Sequence, residues 1–491
     1  MNERHLGYVA LTALTASLAP LAPAQATGFL TARFGGEHGH PTTENATAMY
    51  YNPAGLAFAA ATELYLDGTF AWIKSSYDRD PDSVYPLLPN PDHKGTPANR
   101  LDTNSGKNTL FNIAAAPFVG VVSNFGVENL GVGLGLYAPF GGASVWDKND
   151  DFKDDSQFPG AYDGSQRWWS IEGTLRSVYV TAAGAYYIPQ ARLSVGLGVN
   201  LVMTEIHTIR ARNVSGQDET VIEEASGNTR VGEGRSRVEV AGKNLSLGGG
   251  LLWKPTDDLW IGASYQSQPG FGKMKLEGDL EVSYDGGEAS TSDVRLEEEL
   301  PDVIRLGGRW RPNPQWEVRL SGEFDRWSVF ERQCLVNKDA PDDACALDGK
   351  GDPKPGVDTS VIVQNLQRNW EDALAVRAGG SYWLSPDLEF VGGVGFDGNA
   401  VPDETIDPAL PDFNDISVSL GARKELLEKT LALAGTYTQI FYISREVAPR
   451  DRDANGVPVT GLKSPTSLQP DAAGKYERSI GVFNLNVEYT F

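Results

Sequence analysis

Beyond its first two dozen residues, this 491-residue chain nowhere strings together 18 apolar residues, so no later segment crosses a bilayer as a helix. Positive charge is scarce. The 42 Lys and Arg face 65 Asp and Glu, a net charge of −23. A phosphate backbone needs a basic face, so nucleic acid is excluded as a partner. Cysteine is nearly absent. Cys334 and Cys345 share one polar segment, and in an exported chain they are expected to form a local disulfide, two free thiols being the alternative. Histidine is sparse as well. His38-Gly39-His40 has no companion cluster, so no metal and no cofactor is expected. A lipid-cleaving enzyme would want a Ser-His pair. His207 has Thr204 and Glu205 nearby, but no serine elbow is evident, and no catalytic residue is assigned.

What the chain does contain is alternation. Its start reads as a secretory signal, with Arg4 and His5 ahead of a small, apolar stretch and Ala24 and Ala26 flanking a cleavage point after residue 26. From Thr62 onward apolar and polar residues alternate with period two. The runs predict strands at 62–74, 110–123, 130–138, 171–188, 191–210, 235–254, 259–283, 302–311, 316–329, 373–384, 388–396, 415–424, 430–443 and 479–491. Most exceed a soluble strand and suit a tilted bilayer-spanning one, which needs about 9–11 residues. Short connectors alternate with long ones, the rhythm of periplasmic turns and outer loops. Counting 259–283 as one strand, with Pro269-Gly270 as a bulge, makes the number even. The expected fold is all-β: a transmembrane antiparallel barrel of about 14 strands in the bacterial outer membrane.

The last strand supports this. Phe483, Leu485, Val487, Tyr489 and Phe491 share one face, and Asn484, Asn486, Glu488 and Thr490 the other. The first face suits lipid and the second a wet lumen. After the third strand, Pro139, Gly141 and Gly142 predict a kink that opens the wall, because ladder hydrogen bonds are lost there.

Several stretches carry a resemblance. They are "TGF" (27–29), "ENATAMYYNPAGLA" (44–57), "LPDVIRLGGRWRP" (300–312), "FDGNAVPDETIDPALPDFNDISVSLGARK" (396–424) and the closing "VEYTF". In this order the chain resembles the outer-membrane long-chain fatty-acid and hydrocarbon transporters of the FadL/TodX type, the 396–424 stretch resembling the hydrocarbon branch. The resemblance implies a signal peptide (1–26), an N-terminal hatch (27–61) plugging the lumen and a barrel (62–491) with long extracellular loops. It implies passive uptake of hydrophobic compounds. They are captured at an outer groove, passed to a pocket at the hatch and released sideways at a kinked third strand.

Within the hatch, Phe29, Phe34, Met49, Tyr51 and Leu56 are the candidate ligand contacts, with packing of the plug as their alternative role. Asn52, Pro53, Ala54 and Gly55 have turn chemistry and read as a hinge between plug and wall, a part of the gate. In the loop after the third strand, Trp146, Phe152 and Phe158 are candidate groove residues, while Trp168 and Trp169 read as interfacial girdle. Arg33 and Arg167 could meet a carboxylate, surface solvation being the plainer role. "DRDANG" (451–456) matches half of a calcium loop, but Leu462 stands where the closing Glu belongs, so a polar turn is expected. The expected partners are a hydrophobic small molecule, outer-membrane lipid and lipopolysaccharide, and the barrel-assembly machinery through Phe491; a monomer suffices. The competing functions are a lipid-modifying barrel enzyme, which needs a triad, and a general diffusion porin, which lacks a hatch.

Overall fold

The computed structural model describes residues 33–87, 94–213, 215–223, 229–284, 287–346, 354–452 and 469–491. The segment read as a signal, Phe29 and most of "DRDANG" lie outside them.

Fourteen antiparallel wall strands form one closed sheet. They are β1 (Glu63–Arg79), β2 (Gly106–Ser123), β3 (Leu130–Val145), β4 (Glu172–Ile188), β5 (Leu193–Arg212), β6 (Gly234–Trp253), β7 (Leu259–Gln266, resuming as Met274–Ser283), β8 (Ser290–Glu298, resuming as Val303–Asn313), β9 (Trp316–Asp325, then Arg332–Asn337), β10 (Ile362–Gln367, then Ala373–Ser385), β11 (Leu388–Asp397), β12 (Asp415–Leu426), β13 (Leu431–Tyr442, then Arg445–Val447) and β14 (Gly474–Thr490). The circle closes where Glu63 of β1 stands opposite Thr490 of β14. Closure pairs the backbone around the ring, which is what a strand protein needs in lipid, save along the upper part of β2 and β3.

Outward residues are apolar. Phe70, Leu134, Leu197, Leu306, Leu420 and Leu485 are all exposed. Near the periplasmic turns Tyr186, Trp253, Trp310, Trp316, Tyr489 and Phe491 form the aromatic rim. Inward residues are small or polar, such as Thr69, Ser194, Ser264, Asn484 and Asn486.

The strands run past the bilayer into stretches that the sequence assigned to loops. On β7 to β10 the upper parts form a collar, separated from the lower wall by interruptions at one height. The lower ladders end at Gln266–Val303, Val303–Asp325 and Asp325–Ala373. The collar ladders begin at Met274–Glu298, Glu297–Cys334 and Arg332–Gln367. Pro269-Gly270 falls on this crease, so 259–283 is one wall strand with an interruption. Cys334 and Cys345 are joined in a disulfide with Cα atoms 6.1 Å apart, fastening the collar part of β9 to the loop above it.

Residues 33–61 lie inside the ring. The Gly35 amide donates to Asp67 Oδ2 of β1 at 2.6 Å, Ser194 of β5 donates to the Ala54 carbonyl at 2.7 Å, and Ser264 of β7 to the Tyr51 carbonyl at 2.6 Å. His38 meets Glu389 of β11 at 3.1 Å, and Asn484 of β14 donates to the Arg33 carbonyl at 2.8 Å. The "NPAGL" turn docks on wall positions that carry no side chain. A Cβ on Gly131 would overlap the Leu56 carbonyl, one on Gly196 the Pro53–Ala54 peptide, one on Gly250 the Asn52 carboxamide, and one on Gly262 the Pro41 carbonyl. Asn52 is fully buried. Its Oδ1 accepts from the Ala54 amide at 3.1 Å, capping the 3-10 helix Pro53–Phe58, while Nδ2 donates to the Pro41 carbonyl at 2.8 Å and to the Leu251 carbonyl of β6 at 2.9 Å. The turn read as a hinge into β1 is thus a rivet. The run into the wall is made later, by residues 59–62.

Gly131→Ala will weaken this docking by about 1–3 kcal/mol, the usual cost of overpacking a filled site. Amides of residues 44–58 will exchange with solvent faster than in the wild type. Gly248→Ala, where nothing lies within 4 Å of the added carbon, will leave them unchanged.

Candidate functional site

The β2–β3 ladder begins at Ser123–Val132 and stops at Phe118–Tyr137. Above this point β2 stays paired to β1, and β3 to β4. The cause is legible in two prolines. Bonded and non-bonded pairs alternate in an antiparallel ladder, so the next bonded pair beyond Phe118–Tyr137 is either 117 with 138 or 116 with 139. Pro117 occupies the first and Pro139 the second, and neither has an amide hydrogen to give. Pro139 also imposes a bulge on the β3–β4 ladder between Tyr137 and Phe140. The third strand therefore continues past the expected kink, through Gly141 and Gly142, as one edge of an open seam.

Higher up, a side chain closes the seam. Asn112 of β2 donates from Nδ2 to the Val145 carbonyl at 3.0 Å and accepts from the Val145 amide at 2.9 Å, imitating one rung of backbone ladder. Below, the Tyr137 ring stacks on Phe118 at 5.2 Å and on Tyr179 at 5.7 Å. Outside, Phe111, Ile113, Leu134 and Val145 are exposed and apolar around the opening.

Inside, Gly141 and Gly142 line an outer cavity. Its opposite wall is the collar, through Leu296, Leu335 and Leu366, and its floor is the inward-folded segment 409–411. Trp169 and Trp370 add aromatic surface. Arg210, Arg368 and Arg478 line it and no carboxylate does. Arg368 binds Asp407 at 2.5 Å and Arg478 donates to the Pro411 carbonyl at 3.2 Å. Arg210 makes no hydrogen bond or ion pair among the described residues.

The segment that floors this cavity roofs a second one. Asp412 follows Pro411 and faces an inner cavity lined by Tyr50 and Tyr51 of the plug and by charged wall residues, among them Arg305, Glu323, Asp325 and Arg377. Burial pushes the Asp412 carboxyl up to about 6, although the Ala400 amide donates to it. A third, periplasmic cavity shares His40 and Arg319 with the inner one, so these two side chains form the septum.

The residues named from sequence divide accordingly. Phe34 packs among Tyr50, Phe118 and Tyr137, and Met49 and Leu56 lie against the glycine face of β3. Of the hatch candidates within the described residues, Tyr51 reaches a cavity. Phe152 and Phe158 do not form an open groove. They are buried with Ala161 and Val221 in a separate cluster, with the Arg100 guanidinium 5.8 and 4.4 Å from their rings. Trp146 is buried and lines none of these cavities. Trp168 and Trp169 are buried too, not on a lipid-facing girdle; Trp168 Nε1 donates to Asn104 at 2.8 Å. Arg167 is not solvated. It is fully buried and clasps Glu233 through Nε and Nη2 at 2.9 and 3.0 Å. Arg33 reaches Asp397 at 3.8 Å inside the lumen. His207 pairs with Glu239 at 3.2 Å, while Thr204 bonds Ser177 on the opposite, inward face. Sequence reasoning missed Pro117, a donorless residue inside a predicted strand and so a readable signal. It missed Arg210 and the collar leucines, whose convergence no local pattern announces.

A model of the family described as "Outer membrane protein transport protein (OMPP1/FadL/TodX)" matches residues 9–491. The outer membrane protein NMB0088 of Neisseria meningitidis is 22% identical over 444 residues, 86% of this chain and 87% of its own. Among solved structures, a FadL homologue of Pseudomonas aeruginosa superposes with a TM-score of 0.69 at 18% identity, over 96% of this chain and all of the other. The toluene transporter TbuX of Ralstonia pickettii gives 0.56 at 17% identity, over 91% and 94%.

The septum makes a pH prediction. Burial and the nearby charges of Arg319, Arg309 and His38 hold the His40 imidazole well below its usual 6.5. Its Nδ1 is engaged by Thr42, through the amide at 3.3 Å and the hydroxyl at 2.8 Å. An undocked plug would bind this proton near 6.5 and the docked plug does not, so docking loses stability as pH falls below 6.5. Ion-current fluctuations across planar bilayers will rise on acidification in the wild type and stay flat in His40→Gln.

Proposed function

The chain belongs to the OMPP1/FadL/TodX family of outer-membrane transport proteins, and from that premise we propose that it takes up amphipathic hydrophobic compounds through the outer cavity and releases them sideways at the β2–β3 seam. It is an outer-membrane transporter of hydrophobic compounds and not an enzyme. The finer route rests on one observation: Gly141 and Gly142 belong both to the cavity lining and to the unpaired edge of β3. A ligand against them is one strand's thickness from the apolar face outside. The plug (27–61) would bar the axial route, since the backbone of residues 33–61 is held to the wall. The exposed, lipid-side Phe491 suits a recognition signal for barrel assembly.

The cavity's charge favours an acidic head on an apolar body. Three guanidiniums without a lining carboxylate make it a place where a carboxylate gains charge-assisted hydrogen bonds, and Arg210 is free to give them. The carboxylate-rich inner cavity would turn such a head back, leaving the seam as the outlet. A neutral hydrocarbon would use the apolar walls and ignore Arg210.

Two measurements test this. Ala114→Cys with Ala143→Cys, two residues below the Asn112–Val145 contact, puts a reducible pair on the two edges of the seam. Uptake of a labelled hydrophobic compound will fall on oxidation and recover on reduction; unchanged uptake by the oxidised protein would sink the lateral route. Arg210→Gln will weaken binding of a long-chain carboxylate at least about tenfold and leave its methyl ester unaffected, by calorimetry on the purified protein.

A further inference from the structure

The inner cavity carries charge that the plug's docking and the lateral route leave unused. Six carboxylates and four guanidiniums line it. The guanidiniums are engaged. Arg305 binds Glu323, Arg377 binds Asp397 at 2.5 Å, Arg33 reaches the same Asp397 at 3.8 Å, and Arg319 turns to Glu317 at 3.3 Å. Glu37 remains, half-buried, together with the deeper Asp325, Asp412 and Asp415, and the three aspartates are the ones closed off from water. They are 7%, 2% and 1% exposed, and each keeps a carboxylate oxygen that no donor reaches.

A buried carboxylate oxygen without a donor is costly, and three in the lining of one cavity call for a ligand that brings positive charge and N–H groups. Among the described residues no group of three or more His, Cys, Asp or Glu is placed to hold a metal ion. An organic cation fits better. A primary ammonium has three N–H donors in a compact head. The cavity also presents rings, with Tyr50, Tyr51 and Trp327 in its lining, and aromatic faces favour ammonium groups. We propose that the inner cavity is a binding site for the primary ammonium head of a lipophilic amine, drawn there by the donorless oxygens that Asp325, Asp412 and Asp415 contribute to its lining.

The tail has a place to go. Neighbouring residues face the two cavities, Pro411 the outer and Asp412 the inner, so an amine in the inner cavity lies one segment below the apolar walls that would take its tail. Opposite heads then sort to opposite levels: an acid stops at Arg210, and an amine passes to the carboxylates. The site is read from the inner cavity alone and stands whichever way ligands leave the barrel.

Calorimetry on the whole protein in lipid nanodiscs at neutral pH tests it, with hexylammonium, hexanol and hexanoate as probes. Hexylammonium will bind, and its neutral isostere hexanol at least about tenfold more weakly. Asp325→Asn and Asp415→Asn will each weaken hexylammonium by a similar factor and leave hexanoate unchanged, which also certifies the fold of each variant. Arg210→Gln will do the reverse, so a failure here is distinct from a failure of the acid-head reading. Absence of hexylammonium binding, equal binding of hexanol, or unaltered affinity in both Asn variants would overturn the proposal.

Discussion

A polypeptide in hydrocarbon must satisfy its backbone hydrogen bonds by itself, and every part of this molecule answers to that demand. The closed ring from β1 to β14 meets it along the wall. The one long lapse, above Phe118–Tyr137, occurs where two prolines make compliance impossible on either alternation of the ladder. The lapse is bounded. Asn112 supplies by side chain the rung that the backbone omits, and three aromatic rings fill the corner below. An opening of fixed height results between β2 and β3.

The same demand shapes the interior. Residues 33–61 are too few to bury a core of their own, so their amides and carbonyls need wall partners. Glycines on β3, β5, β6 and β7 let the plug's backbone come close enough for Ser194, Ser264 and the Leu251 carbonyl to supply them. Asn52 joins turn, plug and wall in one side chain, which explains why turn chemistry stands among apolar residues at "YYNPAGLAF". Above the plug, charge divides by level: guanidiniums face the outer cavity, and a surplus of carboxylates faces the inner one.

Much of the architecture could be read in the sequence because barrels impose a rule on each residue separately. Alternation located all fourteen strands, and the closing strand assigned its own lipid and lumen faces. Boundaries were read short, at Lys74 for β1, where polar residues replace the apolar parity, and at Ala138 for β3, where Pro139 and the two glycines read as a kink. The site was harder. Aromatic residues in a loop look alike whether they face a ligand or each other, and Phe152 and Phe158 proved to be the second kind. The outer cavity draws on β3, the collar and segment 409–411, elements far apart in the chain, so nothing local flags Arg210 or Leu335. Pro117 was within reach: a proline inside a long predicted strand asks which neighbour it fails to bond.

The crease across β7 to β10 has a consequence for how such a chain can change with time. A sheet folded along a line of equal height separates two inheritances. Below the line, every residue is tied to the circumference and to the plug, and adding or removing one would shift a register shared by fourteen strands. Above it, the collar answers to its own short ladders, to the upper part of β6 along one side, and to the disulfide between Cys334 and Cys345. Insertions there alter the roof of the outer cavity and leave the ring its size, so lineages could diverge in what they admit while keeping one way of standing in the membrane.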